Sequence, residues 1–277
     1  MPQVAGSDAD LVLVHPEEAA GTAADVCFSC LPGGALDDMG TGTAADVVID
    51  LAGDHRADPG WAYGLTELNR EMVQRSSRVA NPGCYPTAAL LALVPCARER
   101  LIDGPVVIDA ISGASGAGRS PEQRLLAAEL GGSVGAYGTL RHRHVPEMER
   151  GLALFGGVEL KVSFTPHLIP IPRGLLVTTR APLTRKASDH DVLQVLRHAY
   201  EDEPFVDVVE EWPQTKHVHG SNRALVSARV DTSCNMLICS AAIDNLGKGA
   251  AGQAIQNANL ILGVDESAGL DASGVWP

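Results

Sequence analysis

Residues 79–88 read VANPGCYPTA, and this stretch says more about the fold than any other. Pro82 and Gly83 predict a sharp bend of the backbone. The apolar run 87–93 that follows predicts a buried helix, and Pro86 fits its first turn, where a missing N–H costs nothing. The sequence therefore predicts that the thiol of Cys84 lies at the N-terminus of a helix.

A thiol in that position has a chemical use. Free backbone N–H groups and the positive end of the helix dipole favour the thiolate, which can attack a carbonyl or an acyl phosphate. We therefore expect Cys84 to be a reactive nucleophile. The other cysteines are interpreted as inert, reduced thiols, because their spacing is irregular in a chain of 277 residues; they are Cys27, Cys30, Cys96, Cys234 and Cys239.

Short apolar runs in the first third predict buried parallel strands. Leu11–Val14, Val26–Leu31 and Val47–Leu51 each end near Gly, Pro or Asp. This pattern is typical of parallel strands whose C-terminal ends carry functional loops. A helix from Cys84 to about Leu101 follows, and Val106–Ile111 is predicted as another strand.

The second half of the chain has a different pattern, which predicts a mostly antiparallel sheet covered by helices. The predicted elements are strands at Leu160–Phe164, Leu175–Thr179, Ala224–Val230 and Met236–Ile243, with helices at about Asp189–Tyr200 and Gly249–Leu262. The expected fold class is thus α/β plus α+β.

Composition excludes several functional classes. The net charge of −13 disfavours nonspecific binding to nucleic acid. No apolar run approaches the roughly 18 residues that span a bilayer, and the start does not resemble a secretory signal. We expect a globular protein that contacts neither nucleic acid nor membrane.

Proton transfer would fall to His142 and His144, because histidine titrates near neutrality. In an extended segment the two rings would point the same way. A His-x-His pair can also bind zinc, although no third ligand is evident at metal-site spacing. Glu147 either orients one ring through a charge-assisted bond or belongs to the first turn of the next helix.

Anions would be bound by arginines, whose guanidinium groups match carboxylate and phosphate. The candidates are Arg119, Arg143 and Arg173. The Gly- and Ser-rich loop Ser112–Arg119 could line a nicotinamide or phosphate site with its N–H groups. Its composition alone fits a surface loop equally well.

The stretch from Val79 to Pro95 resembles the active-site signature of the N-acetyl-gamma-glutamyl-phosphate reductase family, which is related to the aspartate-semialdehyde dehydrogenases. Further segments carry the same resemblance in the same order along the chain. They are Asp50–Arg56, Tyr63–Arg70, Ser112–Arg119, His142–Glu147, Ser163–His167, Pro172–Gly174 and Ala242–Gln253.

The resemblance implies a cytoplasmic, homo-oligomeric enzyme (dimer or tetramer) of arginine biosynthesis. It would reduce N-acetyl-gamma-glutamyl phosphate with NADPH, through a thioester on Cys84, with His142 or His144 as acid and base and without a metal. The implied substrate-binding residues are Asn81, Arg119, Arg143 and Arg173. The implied NADP-binding residues are Pro32, Gly33, Ser112, Gly113, Gly116, Asn245, Gly249 and Gln253.

The resemblance also implies two domains. Residues 1–84 and 249–277 would form a Rossmann-like NADP-binding domain, and residues 85–248 a mixed or antiparallel catalytic and dimerisation domain. Family members begin with a strand, a G-x-x-G-x-x-G turn and a helix, which hold the cofactor pyrophosphate. Met1–Asp10 contains no such turn, so we expect a truncated Rossmann-like domain that binds NADPH weakly.

Two other functions remain open from the sequence. One is a sister reductase of lysine biosynthesis, whose substrate is one methylene longer; such a difference is worth only about 1–3 kcal/mol and is not legible in one sequence. The other is a non-catalytic remnant that associates with a full-length partner.

Overall fold

Two β-sheets organise the chain in the computed structural model, which describes residues 14–39, 43–118, 120–270 and 273–274. The strands are β1 (Ala24–Ser29), β2 (Ala45–Asp50), β3 (Ala62–Tyr63), β4 (Arg78–Ala80), β5 (Val106–Ser112), β6 (Gly135–Ala136), β7 (Val162–Leu168), β8 (Leu175–Pro182), β9 (Val206–Val208), β10 (Ala224–Asp231) and β11 (Met236–Ile243). The helices are α1 (Pro16–Ala20), α2 (Ala35–Asp38), α3 (Thr66–Gln74), α4 (Cys84–Arg98), α5 (Ala127–Leu130), α6 (Val145–Gly156), α7 (Asp189–Ala199), α8 (Thr215–Val218) and α9 (Gly252–Leu262).

The first sheet has four strands in the order β1-β2-β4-β3, and all neighbours are parallel. This confirms the Rossmann-like parallel sheet. β1 ends at Ser29 rather than at the predicted Leu31, because Pro32 cannot donate to a strand ladder and Gly33-Gly34 turns away. Residues 11–13 of the first predicted strand and the segment Met1–Asp10 lie outside the described residues.

The second sheet has seven strands in the order β6-β7-β5-β8-β11-β10-β9. Only β5–β7 and β9–β10 are parallel pairs, which confirms a mixed and mostly antiparallel sheet. β8 runs to Pro182, beyond the predicted end at Thr179, because it pairs with β11 as far as Met236. The main hydrophobic core of the protein lies between this seven-stranded sheet and the helices that cover it, chiefly α4, α6 and α7.

Helix α4 carries the stretch from which the sequence analysis began. It starts at Cys84 as predicted, and both Thr87 N and Thr87 Oγ1 donate to Gly83 O, at 2.9 and 3.0 Å. It ends at Arg98, before the predicted Leu101, and the chain then passes through a left-handed residue, Arg100, at φ 53°. No helix in the described ranges is long and apolar enough to cross a membrane.

Helix α6 crosses α4 at a glycine. A Cβ at Gly151 would collide with the side chain of Leu90, so only glycine permits this approach. The close crossing brings the start of α6, with His144 just before it, to the start of α4.

The last helix, α9, packs back onto the parallel sheet. Ala254 and Ala258 join the apolar cluster of Val47, Ile49 and Val79. The predicted helix start at Gly249 lies within a π-helical turn, Gly247–Ala251, which precedes α9. This wider turn lies beside Cys84.

Candidate active site

Cys84 is the first residue of α4, as the sequence predicts, and a hydrogen-bonded turn holds it in place. Gly83 is extended (φ −69°, ψ 152°), and its N–H donates to Oε1 of Glu147 at 2.9 Å. Tyr85, the next residue, donates from its backbone N–H toward the thiol. The thiol therefore sits where a bend meets a helix N-terminus.

The expected lowered pKa of Cys84 is not found. Burial raises the pKa of this thiol to about 11, although the backbone N–H of Tyr85 and the charge of Arg56 act in the opposite direction. Desolvation by the close packing outweighs the helix N-terminus. In the resting protein the group is therefore a thiol, and its proton must be removed when it reacts.

His142 and His144 are not in an extended segment. Val145 N donates to His142 O at 3.1 Å, so the chain turns here before α6 begins. Within this turn the two rings still meet edge to face, with centroids 4.8 Å apart. His144 is buried at 5 % exposure, and a Cβ at Gly83 would lie 2.5 Å from its Nε2. Gly83 thus lets the His144 ring lie directly against the Cys84 turn.

Both rings are held neutral. Burial lowers the pKa of His144 well below 6.5, and the nearby charges of Arg56 and Arg143 lower it further. Burial and Arg143 also lower the pKa of His142. Nδ1 of His144 is buried without a hydrogen-bond partner among the described residues, whereas Nδ1 of His142 accepts a bond from His144 N at 3.2 Å. His144 thus has one unpartnered ring nitrogen, Nδ1, while its Nε2 is the nitrogen that lies against the Cys84 turn at Gly83.

The carboxylate of Glu147 bonds to the Cys84 turn and does not orient either histidine ring. Its Oε1 accepts from Gly83 N and, at 2.8 Å, from the hydroxyl of Tyr63, while its Oε2 accepts from Arg56 Nη1 at 2.9 Å. Arg56 also donates from Nε to Asn81 O at 2.9 Å. This ion pair joins α6 to the loop after β2 across the Cys84 turn.

Sequence reasoning gave no role to Arg56 or Tyr63, although both lie in segments that carry the family resemblance. Arg56 and Glu147 are 91 positions apart, and no local pattern predicts that they meet. The only signal in the sequence was that Arg56 and Glu147 are charged residues in segments that carry the family resemblance.

The predicted substrate residues lie in different surroundings. Arg143 lines the main cavity. Arg173 donates from Nε and Nη2 to Oδ1 of the buried Asp244, at 3.2 and 2.8 Å. Asn81 is 1 % exposed, and its amide bonds Ala250 O and Asn257 Nδ2, so it fixes the turn from within. Arg119 lies outside the described residues.

A cavity of about 720 Å³ opens beside the Cys84 turn, within the size range of small-molecule sites. Three predicted cofactor residues, Pro32, Gly33 and Gly116, line it together with Arg143. Its other walls include Arg56, Glu147, Arg150, Gly118 and Phe155. Glycine-rich backbone and arginines in one cleft suit a phosphate-bearing ligand.

The cavity wall at Gly116 is supported from behind by three predicted cofactor residues, Ser112, Gly113 and Asn245. Gly113 N donates to Gly174 O at 3.0 Å, and a Cβ at Gly113 would lie 2.7 Å from Ile171 O. Asn245 accepts from Gly174 N at 2.7 Å and donates to Ser115 Oγ at 2.9 Å. These bonds fix the loop that continues to Gly116.

Gly249 and Gln253 differ in their access to the site. Gly249 lies against Cys84, since a Cβ there would be 2.9 Å from Cys84 Cβ. Gln253 is fully buried, donates to Thr66 Oγ1 at 2.9 Å, and does not line the cavity. Its Oε1 has no hydrogen-bond partner within the described ranges.

The zinc alternative finds no third ligand in the part of the chain that the structure describes. No group of three or more His, Cys, Asp or Glu side chains there is arranged to hold a metal ion.

A third histidine, His55, lies between two residues of the cavity wall, Asp54 and Arg56, and its contacts predict a pH effect. His55 bonds Asp50 Oδ2 through Nδ1 at 2.9 Å and Asp37 Oδ1 through Nε2 at 3.1 Å, and it stacks on Trp61. Burial disfavours its charged form, but the bonds to the two carboxylates outweigh burial and raise the pKa of His55. Its stabilisation is therefore complete below the ordinary pKa of about 6.5 and is lost as pH rises through the raised value.

We expect the free energy of unfolding to fall between about pH 6 and about pH 9 by about 1 kcal/mol more in the wild type than in His55→Gln, the usual net size of one hydrogen bond in a folded protein. Guanidinium unfolding at both pH values measures this difference. His198→Gln, an exposed histidine on α7, is the control and should behave as the wild type. Parallel pH profiles for wild type and His55→Gln would contradict the prediction.

Comparison with known families agrees with the two-sheet architecture. The family model "Semialdehyde dehydrogenase, NAD binding domain" matches residues 2–76, and "Semialdehyde dehydrogenase, dimerisation domain" matches residues 84–245. Among solved structures, aspartate semialdehyde dehydrogenase II from Vibrio cholerae aligns with a TM-score of 0.69 at 18% identity, over 86% of this chain and 79% of that one. The enzyme from Francisella tularensis aligns at 0.67 and 16% identity, over 86% and 82%. At these identities the likeness concerns the fold alone.

Sequence relatives are much closer. N-acetyl-gamma-glutamyl-phosphate reductase of Bradyrhizobium sp. (strain BTAi1 / ATCC BAA-1182) is 44% identical over 279 residues, which cover 100% of this chain and 86% of the relative. The protein of the same name from Methylobacterium sp. (strain 4-46) is 44% identical over 280 residues, with the same coverage. The chain therefore belongs to the N-acetyl-gamma-glutamyl-phosphate reductase family, a family of oxidoreductases within the semialdehyde dehydrogenases.

Proposed function

We propose that this protein reduces N-acetyl-gamma-glutamyl phosphate with NADPH to the semialdehyde and phosphate. The observation that carries the proposal is the position of Cys84, at the start of α4 and beside the buried His144. The 44% identity to reductases of that name supports the choice of substrate.

The chain's own residues account for the proton and acyl steps. A neutral His144 accepts the thiol proton while Cys84 Sγ bonds to the acyl carbon, and the C–O bond to phosphate breaks. After hydride addition to the thioester carbon, the oxyanion re-forms the carbonyl, the C–S bond breaks and the thiolate regains its proton from His144. Covalent capture thus divides one difficult reduction into two easier steps.

The cavity lined by Pro32, Gly33, Gly116 and Arg143 fits a nicotinamide dinucleotide, because its glycines leave backbone N–H groups close to a ligand. When bound, the nicotinamide supplies the hydride. The preference for NADP over NAD is part of the proposal. Arg143 and Arg150, which line this cleft, would bind the anionic phosphate groups of the ligand.

The direct test is an assay of the reverse reaction, the oxidation of the aldehyde. N-acetylglutamate semialdehyde, inorganic phosphate and NADP should give NADPH absorbance, and omission of phosphate should stop it. NAD in place of NADP should be the poorer acceptor. A folded protein that gives no phosphate-dependent signal with either cofactor would refute the proposal.

We further propose a homo-oligomer, a dimer or tetramer, that works in the cytoplasm of its cell. The match of residues 84–245 to a dimerisation-domain model supports association. The division into residues 1–84 with 249–277, and 85–248, is likewise proposed, and the packing of α9 on the parallel sheet supports it. Sedimentation velocity distinguishes monomer, dimer and tetramer.

A further inference from the structure

The π-helical turn Gly247–Ala251 lies between β11 and α9. Gly249 N donates to Asp244 O at 2.9 Å and Ala251 N to Leu246 O at 3.0 Å, so each bond spans five residues. Such turns are rare and occur frequently at functional sites. The turn is wider than an α-helical turn.

This turn touches both ends of the loop that carries the nucleophile. On one side, the backbone at Gly249 comes so close to Cys84 that a Cβ would lie 2.9 Å from Cys84 Cβ. On the other side, Ala250 O accepts from Asn81 Nδ2 at 3.0 Å. A movement of the turn would therefore change the packing around the Cys84 thiol.

Lys248 anchors the turn from the opposite side. Its side chain has no exposed surface; Nζ donates to Gln256 Oε1 at 2.7 Å and forms an ion pair with the equally buried Glu67. The ring of Phe205 lies 5.8 Å from Nζ. Lys248 thus connects the turn to α3 through Glu67 and to α9 through Gln256.

The energetics suggest that this ion pair has a role other than stability. Taking two charges out of water is costly, and buried pairs can often be replaced by apolar residues without loss of stability. What a buried pair with fixed hydrogen bonds supplies is a defined geometry. Here the geometry supplied is that of the turn against Cys84.

We infer that Lys248, paired with Glu67, is a positioning residue that holds the Gly247–Ala251 turn against Cys84 and so limits the access of water to its half-buried thiol. The inference rests on the proposed role of Cys84 as nucleophile. Lys248 itself touches neither the thiol nor the cavity.

The test uses Lys248→Met combined with Glu67→Gln, which removes both charges and leaves none unpaired. Iodoacetamide alkylation of Cys84 is followed across pH by peptide mass spectrometry, together with turnover. Loosening the turn should hydrate the thiol and lower its pKa from about 11, and each unit gives about tenfold more thiolate at a fixed pH below it. Alkylation near neutral pH should therefore rise by roughly tenfold while turnover falls.

The variants leave the charged groups that face Cys84, Arg56 and Glu147, unchanged. Lys161→Met, at an exposed lysine, is the matched control and should keep the wild-type alkylation profile. A folded double variant with an unchanged alkylation profile overturns the inference, even if its melting temperature is lower, because a merely structural lysine would give that result.

If the double variant does not fold, Gly249→Ala gives a second test. The added methyl pushes the turn away from Cys84 while the Lys248 and Glu67 side chains are unaltered. It should shift the alkylation profile in the same direction. Gly21→Ala, where a Cβ meets only Glu18 O at 3.6 Å, is its control; a Gly249→Ala profile that matches wild type overturns the inference. Alkylation needs neither substrate nor cofactor, so an inactive wild type would refute the proposed function and leave this test readable.

Discussion

Cys84→Ser should reduce phosphate-dependent oxidation of the aldehyde to background, a loss on the order of 10⁴-fold or more. A hydroxyl is a far weaker nucleophile than a thiol at neutral pH, and no thioester can form. The replacement is nearly isosteric, so the fold should survive. NADPH absorbance measures the turnover, and circular dichroism with thermal melting measures the fold.

Cys234→Ser is the matched control for this experiment. Cys234 is an exposed thiol in the turn between β10 and β11, away from the cavity, so its replacement should leave turnover unchanged. Near-normal turnover in Cys84→Ser would end the thioester proposal. Trapping provides a second view, because a thioester stable to acid quench should appear in the wild type and be absent from the serine variant.

The main elements of the fold were predictable because their signals are local. A proline–glycine bend before a seven-residue apolar run placed the start of α4 at Cys84, and the structure begins the helix there. The strand β11 matches its predicted bounds, Met236–Ile243. Boundaries set by partners were less predictable, as β8 shows, since its length follows from its pairing with β11.

The protonation state of the Cys84 thiol was not predictable from the position of Cys84 in the sequence. A helix N-terminus argues for a lowered pKa, but the sequence does not tell how tightly other segments pack around the thiol. The close approach of Gly249 and the charge of Glu147 come from residues 165 and 63 positions beyond Cys84. Burial then decides the sign of the pKa shift, and burial is a tertiary property.

The same limit applies to the site as a whole. The sequence singled out Cys84, the two histidines and the glycine loops as candidates, because all of them have recognisable local patterns. It gave no role to the Arg56–Glu147 ion pair, which holds the turn, because that pair exists only after α6 has crossed α4 at Gly151. It also placed Asn81 among the substrate ligands, whereas its amide is bonded within the protein.

His144→Asn should lower turnover by roughly 100- to 10,000-fold, the usual cost of removing a general acid–base group. The physical reason is the raised pKa of Cys84, which leaves a thiol that needs a base when the substrate arrives. His144 suits that task because burial lowers its pKa well below 6.5 and keeps the ring neutral, and because its Nε2 lies against the Cys84 turn. The acidic limb of the wild-type pH profile should accordingly lie below the ordinary histidine pKa, since the base loses function only when pH falls through its lowered value.

His142→Asn is the informative comparison, because the two rings are in contact and the sequence could not choose between them. The His144 ring lies directly against Gly83 in the Cys84 turn, so we expect a smaller loss in His142→Asn than in His144→Asn. His198→Asn, on the exposed face of α7, controls for histidine replacement as such and should retain full turnover. A larger loss in His142→Asn would transfer the acid–base role to His142. Losses of only a few-fold in both variants would place the base elsewhere, and the Cys84 thiol would then need another group within reach to take its proton.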